Sequence, residues 1–212
     1  YKYENGKKYY FNIQTKKFEV LPGKDAFIIL DSYRAQKSII KNSECTVHDI
    51  GDGVLCLEFT SKSNSIGEGI GRGIDEAIRL AEEGDWKGIV IGNNAKQFSV
   101  GANLMNVGMM AMQKQFEPLD KMVDDFQQIN MRIRTSKIPV VVATQGYVFG
   151  GGCEIAMHCD AGVYAAESYI GLVEVGVGLL PGGGGTKEFA VRASDDFFEG
   201  ETYDWRICFV YQ

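Results

Sequence analysis

The chain has 212 residues, 45% of them hydrophobic and 24% charged, with a formal net charge of −6. That balance fits an ordinary globular domain with a real core, and it argues against a general nucleic-acid binder. No apolar run approaches the ~18 residues that cross a bilayer. The five cysteines are odd in number and lack a CxxC pair, which argues against a disulfide framework or a zinc site and for free thiols in a reducing cytoplasm.

Residues 1–45 read as a basic, aromatic leader. Residues 1–41 carry nine Lys/Arg against four Asp/Glu, interleaved with Tyr1, Tyr3, Tyr9, Tyr10, Phe11 and Phe18. Such interleaving suits base stacking, but NGKKYYFNIQTKKFEV fits better as two short strands around a polar turn. The chain opens on Tyr, within a strand-like stretch and without a signal peptide, and so reads as a piece of something longer.

TVHDIGDGVLCLEFT (46–60) reads as a β-hairpin turning at Gly51-Asp52-Gly53. Ile66, Ile70, Ile74, Ala77, Ile78 and Ala81 recur at helical spacing, which predicts an amphipathic helix over 66–83 that stops near Gly84. GIVIG (88–92) is a short, fully apolar strand of the kind buried in a sheet. A long helical stretch follows, with Phe116, Leu119, Met122, Val123, Phe126, Ile129 and Ile133 on one face; Pro118 either breaks it or stands in the first turn of its second part. A strand at 139–143, a glycine-rich helix start, a strand at 162–166 and a second glycine-rich loop complete an alternation that means α/β.

Of 26 glycines, twelve lie between Gly146 and Gly185, where the backbone must adopt or permit what a β-carbon forbids. Common glycine motifs do not account for them. IGEGIGRG (66–73) in any register puts Arg72, Ile74 or Glu76 where the last glycine of a dinucleotide fingerprint belongs, and PGGGGTK has Gly185-Thr186-Lys187 where a phosphate loop needs Gly-Lys-Ser/Thr. His158, one turn beyond Glu154, makes a metal pair conceivable; a packed or exposed helix histidine is the better reading, and no metal is expected. The methionines at 105, 109, 110 and 112 suit either a lipid-like pocket or core filling.

Three loops remain: FSVGAN (98–103), GYVFGGGCEIA (146–156) and IGLVEVGVGLLPGGGGT (170–186). The second opens a helix on three glycines, which supplies unpaired N–H groups, and puts Glu154 in its first turn. The third holds Glu174 as the lone charge between Glu167 and Lys187. A carboxylate in apolar surroundings has its pKa pulled toward neutrality, as acid–base work requires.

In order and spacing, FxxGA, GxxxGGGCE and GxxExGxGxxPGGGGT resemble the crotonase (enoyl-CoA hydratase/isomerase) superfamily over roughly residues 46–192. The fuller wording is most similar to the hydratase part of bacterial fusions with a 3-hydroxyacyl-CoA dehydrogenase. The resemblance implies an α/β spiral of ββα units after the strand-rich leader. It divides the chain into 1–45, a linker from an upstream dehydrogenase part, 46–200, the hydratase domain, and 201–212, an unassigned tail without family likeness; the closing C-terminal helices of the family are expected to be missing. It implies Glu154 and Glu174 as the catalytic pair and the N–H groups of Ala102 and Gly151 as an oxyanion hole. Asn64, Ile66, Val100, Gly101, Asn103, Leu104, Gly150, Gly152, Pro181 and Gly182 are implied as substrate contacts, and Lys62 or Lys96 as a phosphate contact. Asn103 departs from the Asp of many relatives. The implied substrate is a coenzyme A thioester and hydration needs no cofactor; NAD would serve only the dehydrogenase part. A trimer-type homo-oligomer is implied, with no nucleic-acid or membrane partner. Two glutamates favour hydration, while a Δ3–Δ2 isomerase and a non-catalytic acyl-CoA-binding fragment stay open.

Overall fold

The computed structural model describes residues 1–4, 7–23, 28–34 and 38–198. The leader forms an antiparallel three-stranded sheet from β1 (Lys2–Glu4), β2 (Lys7–Asn12) and β3 (Lys17–Val20), followed by the short α1 (Leu30–Arg34). The hairpin expected over NGKKYYFNIQTKKFEV is thus β2–β3, extended by one strand. The unassigned tail at 201–212 lies outside the described residues.

A six-stranded sheet carries the core, in the order β10-β8-β7-β6-β5-β4. Strands β4 (Ile40–Lys41), β5 (Cys45–Asp49) and β6 (Val54–Phe59) pair antiparallel, while β6, β7 (Gly88–Gly92), β8 (Val140–Thr144) and β10 (Ala161–Tyr164) run parallel. The β5–β6 reversal falls where the sequence puts it: Gly51, Asp52 and Gly53 have φ of 95°, 56° and 78°, a left-handed run that only Gly and Asp/Asn tolerate readily. Leu55, Leu57, Ile89, Ile91, Val140 and Val142 are buried on this sheet, each such side chain contributing roughly 1.5–3 kcal/mol.

Helix α2 (Glu68–Glu83) covers the sheet with Ile70, Ile74, Ala77, Ile78 and Ala81. It begins two residues after the expected start. The glycines that mimic a nucleotide motif serve close packing here: a β-carbon on Gly73 would stand 2.1 Å from Cys45 Sγ. Helices α3 (Leu104–Met112) and α4 (Phe116–Arg134) follow, with Pro118 in the first turn of α4, where its missing N–H costs no hydrogen bond.

The ββα repeat shows in a second, smaller layer. After each parallel strand of the main sheet the chain enters a short parallel pairing: Ile66 with Ala102, Ser99 with Val148, and β9 (Tyr147–Phe149) with β11 (Tyr169–Gly171). A helix then follows, including α5 (Gly151–His158) and α6 (Gly185–Phe198). This stacking brings loops that are distant in sequence to one end of the sheet.

Candidate active site

Three consecutive turns of the spiral contribute to one locus. Ile66 N donates to Gly101 O at 2.8 Å and Asn103 N to Ile66 O at 3.2 Å, so the intervening Ala102 N–H points away from Ile66. Ser99 Oγ donates to Asn64 O at 2.7 Å and accepts the Gly101 N–H at 3.1 Å. Asn64, buried with φ 52°, spends its amide on Gln97 O at 3.0 Å. A β-carbon on Gly101 would lie 2.9 Å from Phe149 O and 3.4 Å from Gly151 N, so the first and second loops touch beside the helix start. Neither the Ala102 nor the Gly151 N–H has an acceptor among the described residues. Two free donors on adjoining loops, one at the positive end of α5, are suited to a developing negative charge on oxygen.

Glu154 stands in the first turn of α5 at 1% exposure. Its Oε1 accepts the Gly183 N–H at 2.8 Å and the Gly185 N–H at 2.9 Å, the latter from the first turn of α6. Its Oε2 has no donor among the described residues. Burial pushes its carboxyl above the usual range; the Gly185 N–H opposes this, the charge of Glu174 adds to it, and the Gly183 N–H opposes it. Glu174 opens a 3₁₀ turn at Glu174–Val177 and is half-buried, with Oε2 buried and unpartnered. Burial raises its carboxyl too, against its own and the Val173 N–H groups. Cys153, next to both, is pushed up to about 12 by burial and then by the two glutamates, so it stays a neutral thiol rather than a nucleophile.

The other expected contacts divide by exposure. Val100, Ala102 and Leu104 are exposed, Asn103, Pro181 and Gly182 half-buried, and Ile66, Gly101 and Gly150 buried around the same locus. Gly152 faces inward, because a β-carbon there would meet Ser99 Cβ at 2.8 Å; it lets α5 pack on the first loop. Lys62 and Lys96 are exposed. His158 is a packed histidine: its Nδ1–H donates to Glu154 O at 2.7 Å and Nε2 lies 3.5 Å from the buried Glu188. No cluster of three or more metal-ligating side chains occurs among the described residues. No helix among them is long and apolar enough to cross a membrane.

Sequence reasoning missed the contribution of α4. Gln127 Nε2 donates to Gly182 O at 2.7 Å and Asn130 Nδ2 to Gly183 O at 2.9 Å. A polar residue inside the stripe Phe126, Ile129, Ile133 was the signal available for Asn130.

The family model described as Enoyl-CoA hydratase/isomerase matches residues 49–195. A probable 3-hydroxyacyl-CoA dehydrogenase of Bacillus subtilis is 40% identical over 190 residues, covering 89% of this chain and 24% of that protein. A mitochondrial enoyl-CoA hydratase of Pongo abelii is 33% identical over 138 residues, covering 64% of this chain and 45% of that protein. The crystal structure of an enoyl-CoA hydratase from Polaromonas sp. JS666 superposes with a TM-score of 0.66 at 25% identity, covering 72% of this chain and 61% of that one. The chain therefore spans about a quarter to three fifths of the length of these relatives.

Proposed function

The chain belongs to the enoyl-CoA hydratase/isomerase family, and from that premise we propose that it hydrates trans-2-enoyl-CoA thioesters, as the hydratase part of a longer fatty-acid β-oxidation protein. The observation that carries the reading is the pairing of two desolvated carboxylates, Glu154 and Glu174, with two unengaged N–H donors, Ala102 and Gly151.

In this reading the thioester carbonyl oxygen sits between the Ala102 and Gly151 N–H groups. Glu154 takes a proton from water as its oxygen bonds to C3 of the enoyl group. Electron density moves through C2 to the thioester oxygen, and the enolate charge is held by the two N–H groups. Glu174 then gives a proton to C2, and the carbonyl re-forms. Loss of one such donor typically costs ~10²–10³ in rate. The free Oε2 of Glu154 and the unpartnered Oε2 of Glu174 are the atoms available for these transfers. Ile66, Val100, Gly101, Asn103, Leu104, Gly150, Pro181 and Gly182 line the thioester path, with Asn64 holding it from beneath. The step uses no cofactor; NAD belongs to a dehydrogenase part of the longer protein.

The leader would be the connection from that part. In support, the 190 residues aligned with the Bacillus protein are more than residues 46–212 can supply, so the likeness reaches into the leader. A cytoplasmic location suits the unpaired Cys45, Cys56, Cys153 and Cys159. A trimer-type assembly suits the exposed Met105, Met109, Met112 and Phe116.

The test is the absorbance of the enoyl-thioester band of crotonyl-CoA with the chain added. Loss of the band with formation of 3-hydroxybutyryl-CoA is expected. A stable band with this chain, and with a version extended to the length of its relatives, would overturn the reading.

A further inference from the structure

We propose that Gln127 and Asn130 are positioning residues for Glu154, acting through the peptides of the glycine loop; the proposal rests on the reading of Glu154 as the base. Residues 182–185 are four consecutive glycines. Such a run has no side chains to define its conformation, yet two of its N–H groups must meet one carboxylate oxygen.

Helix α4 supplies the missing constraint. Gln127 Nε2 donates to Gly182 O at 2.7 Å. That carbonyl and the Gly183 N–H are the two ends of one peptide unit, and the N–H donates to Glu154 Oε1 at 2.8 Å. The amide of Gln127 thus heads a hydrogen-bonded chain that ends on the carboxylate, in which each bond polarises the next. Asn130, wholly buried, donates Nδ2 to Gly183 O at 2.9 Å and fixes the following peptide. The two side chains lie three residues apart on one helix face and hold the peptides on both sides of Gly183. Space there is closed: a β-carbon on Gly183 would stand 2.4 Å from Phe126 Cε1, 2.5 Å from Glu154 Oε2 and 2.7 Å from Asn130 Nδ2.

The charged and titratable groups around Glu154 come from three other directions. Glu174 faces it from the 3₁₀ turn, His158 and Cys153 flank it on α5, and Glu188 on α6 is paired with Arg134 and Lys187. None of them shares a hydrogen bond or ion pair with Gln127, whose amide donates to Gly182 O, so a change there acts on Glu154 through the loop.

The test uses the 212-residue chain with ¹³C-labelled glutamate carboxyls, comparing wild type, Gln127→Ala, Gln127→Glu, Asn130→Leu and the control Gln128→Ala. With the clamp removed, the Gly183 and Gly185 N–H groups hold the carboxylate less well, so Glu154 titrates at higher pH. In crotonyl-CoA hydration the acid limb of kcat/KM moves upward with it, and kcat falls about 10-fold with KM nearly unchanged, as for a slightly misplaced catalytic group. Gln128→Ala leaves both unchanged. Gln127 is exposed, so its variants keep the fold even if Asn130→Leu does not. An unaltered Glu154 titration in both Gln127 variants overturns the clamp. A wild type that fails to hydrate crotonyl-CoA, both as this chain and extended to the length of its relatives, overturns the functional reading instead, and the carboxyl titration still judges the clamp.

Discussion

The carboxylate of Glu174 lies over the α-carbon of Gly150: a β-carbon on Gly150 would stand 3.1 Å from Glu174 Oε1. Gly150 has φ 54° and ψ −122°, a conformation forbidden to L side chains, and its N–H donates to Gly171 O at 2.9 Å. The third loop therefore rests on the start of α5, and the two glutamates come together through a glycine that touches one and precedes the other by four residues. Gly150→Ala is expected to cost at least ~1–3 kcal/mol of stability through backbone strain and to displace Glu174. Urea denaturation beside a hydration assay checks this; an unchanged midpoint with full activity would refute it.

Glu154→Gln and Glu174→Gln are each expected to lower hydration turnover by at least ~10²-fold, as loss of a positioned acid or base does. Acyl-CoA affinity should change little, because amide and carboxyl have nearly the same shape. Turnover and equilibrium binding of a saturated acyl-CoA separate the two effects. Near-normal turnover in either variant would return that glutamate to a packing role.

The same substitutions carry a pH signature in stability. Burial, the largest influence on both carboxyls, holds them above the ordinary value of 4.5. The native state then binds protons more tightly than the unfolded chain. Stability falls as pH rises from the unfolded value through the folded ones, and is level above them. Each Glu→Gln variant should therefore melt higher than wild type near neutrality, with the gain vanishing in acid below the unfolded value. Melting curves across pH decide it; variants that melt lower than wild type at neutral pH would contradict the sign.

The leader is tied to the sheet by another buried carboxylate. Glu58, at 1% side-chain exposure, binds His48 Nε2 at 2.9 Å and forms a close two-nitrogen contact with Arg34 of α1. Burial raises its carboxyl, but the His48 and Arg34 bonds outweigh burial and hold it below the ordinary range. Its contribution is present above the unfolded value and lost as pH falls through the folded one. Glu58→Gln is expected to destabilise by less than the ~3–5 kcal/mol typical of a wholly buried pair, because Arg34 is half-exposed. Limited proteolysis should then cut near the leader sooner than the sheet; equal protection in both proteins would show that Arg34 does not hold the leader.

Much of this was determined by the sequence alone. The Gly51-Asp52-Gly53 reversal, the apolar face of α2, the strands expected at 88–92 and 139–143 and the order of the three glycine-rich loops follow from side-chain periodicity and backbone permissiveness within a few residues. Glu154 and Glu174 were visible for the same reason, as charges isolated in apolar or helix-opening surroundings. What the tertiary structure decided is who holds them. That Gly183 and Gly185 grip Glu154 across 29 and 31 residues, that Gln127 and Asn130 bond the carbonyls of Gly182 and Gly183, that Gly73 yields to Cys45 and that Arg34 reaches Glu58 all depend on how the spiral closes on itself. Hydrogen bonds reach only about 3 Å, so the partners of a buried carboxylate are set by which turns of the chain are stacked, and no local pattern of residues encodes that.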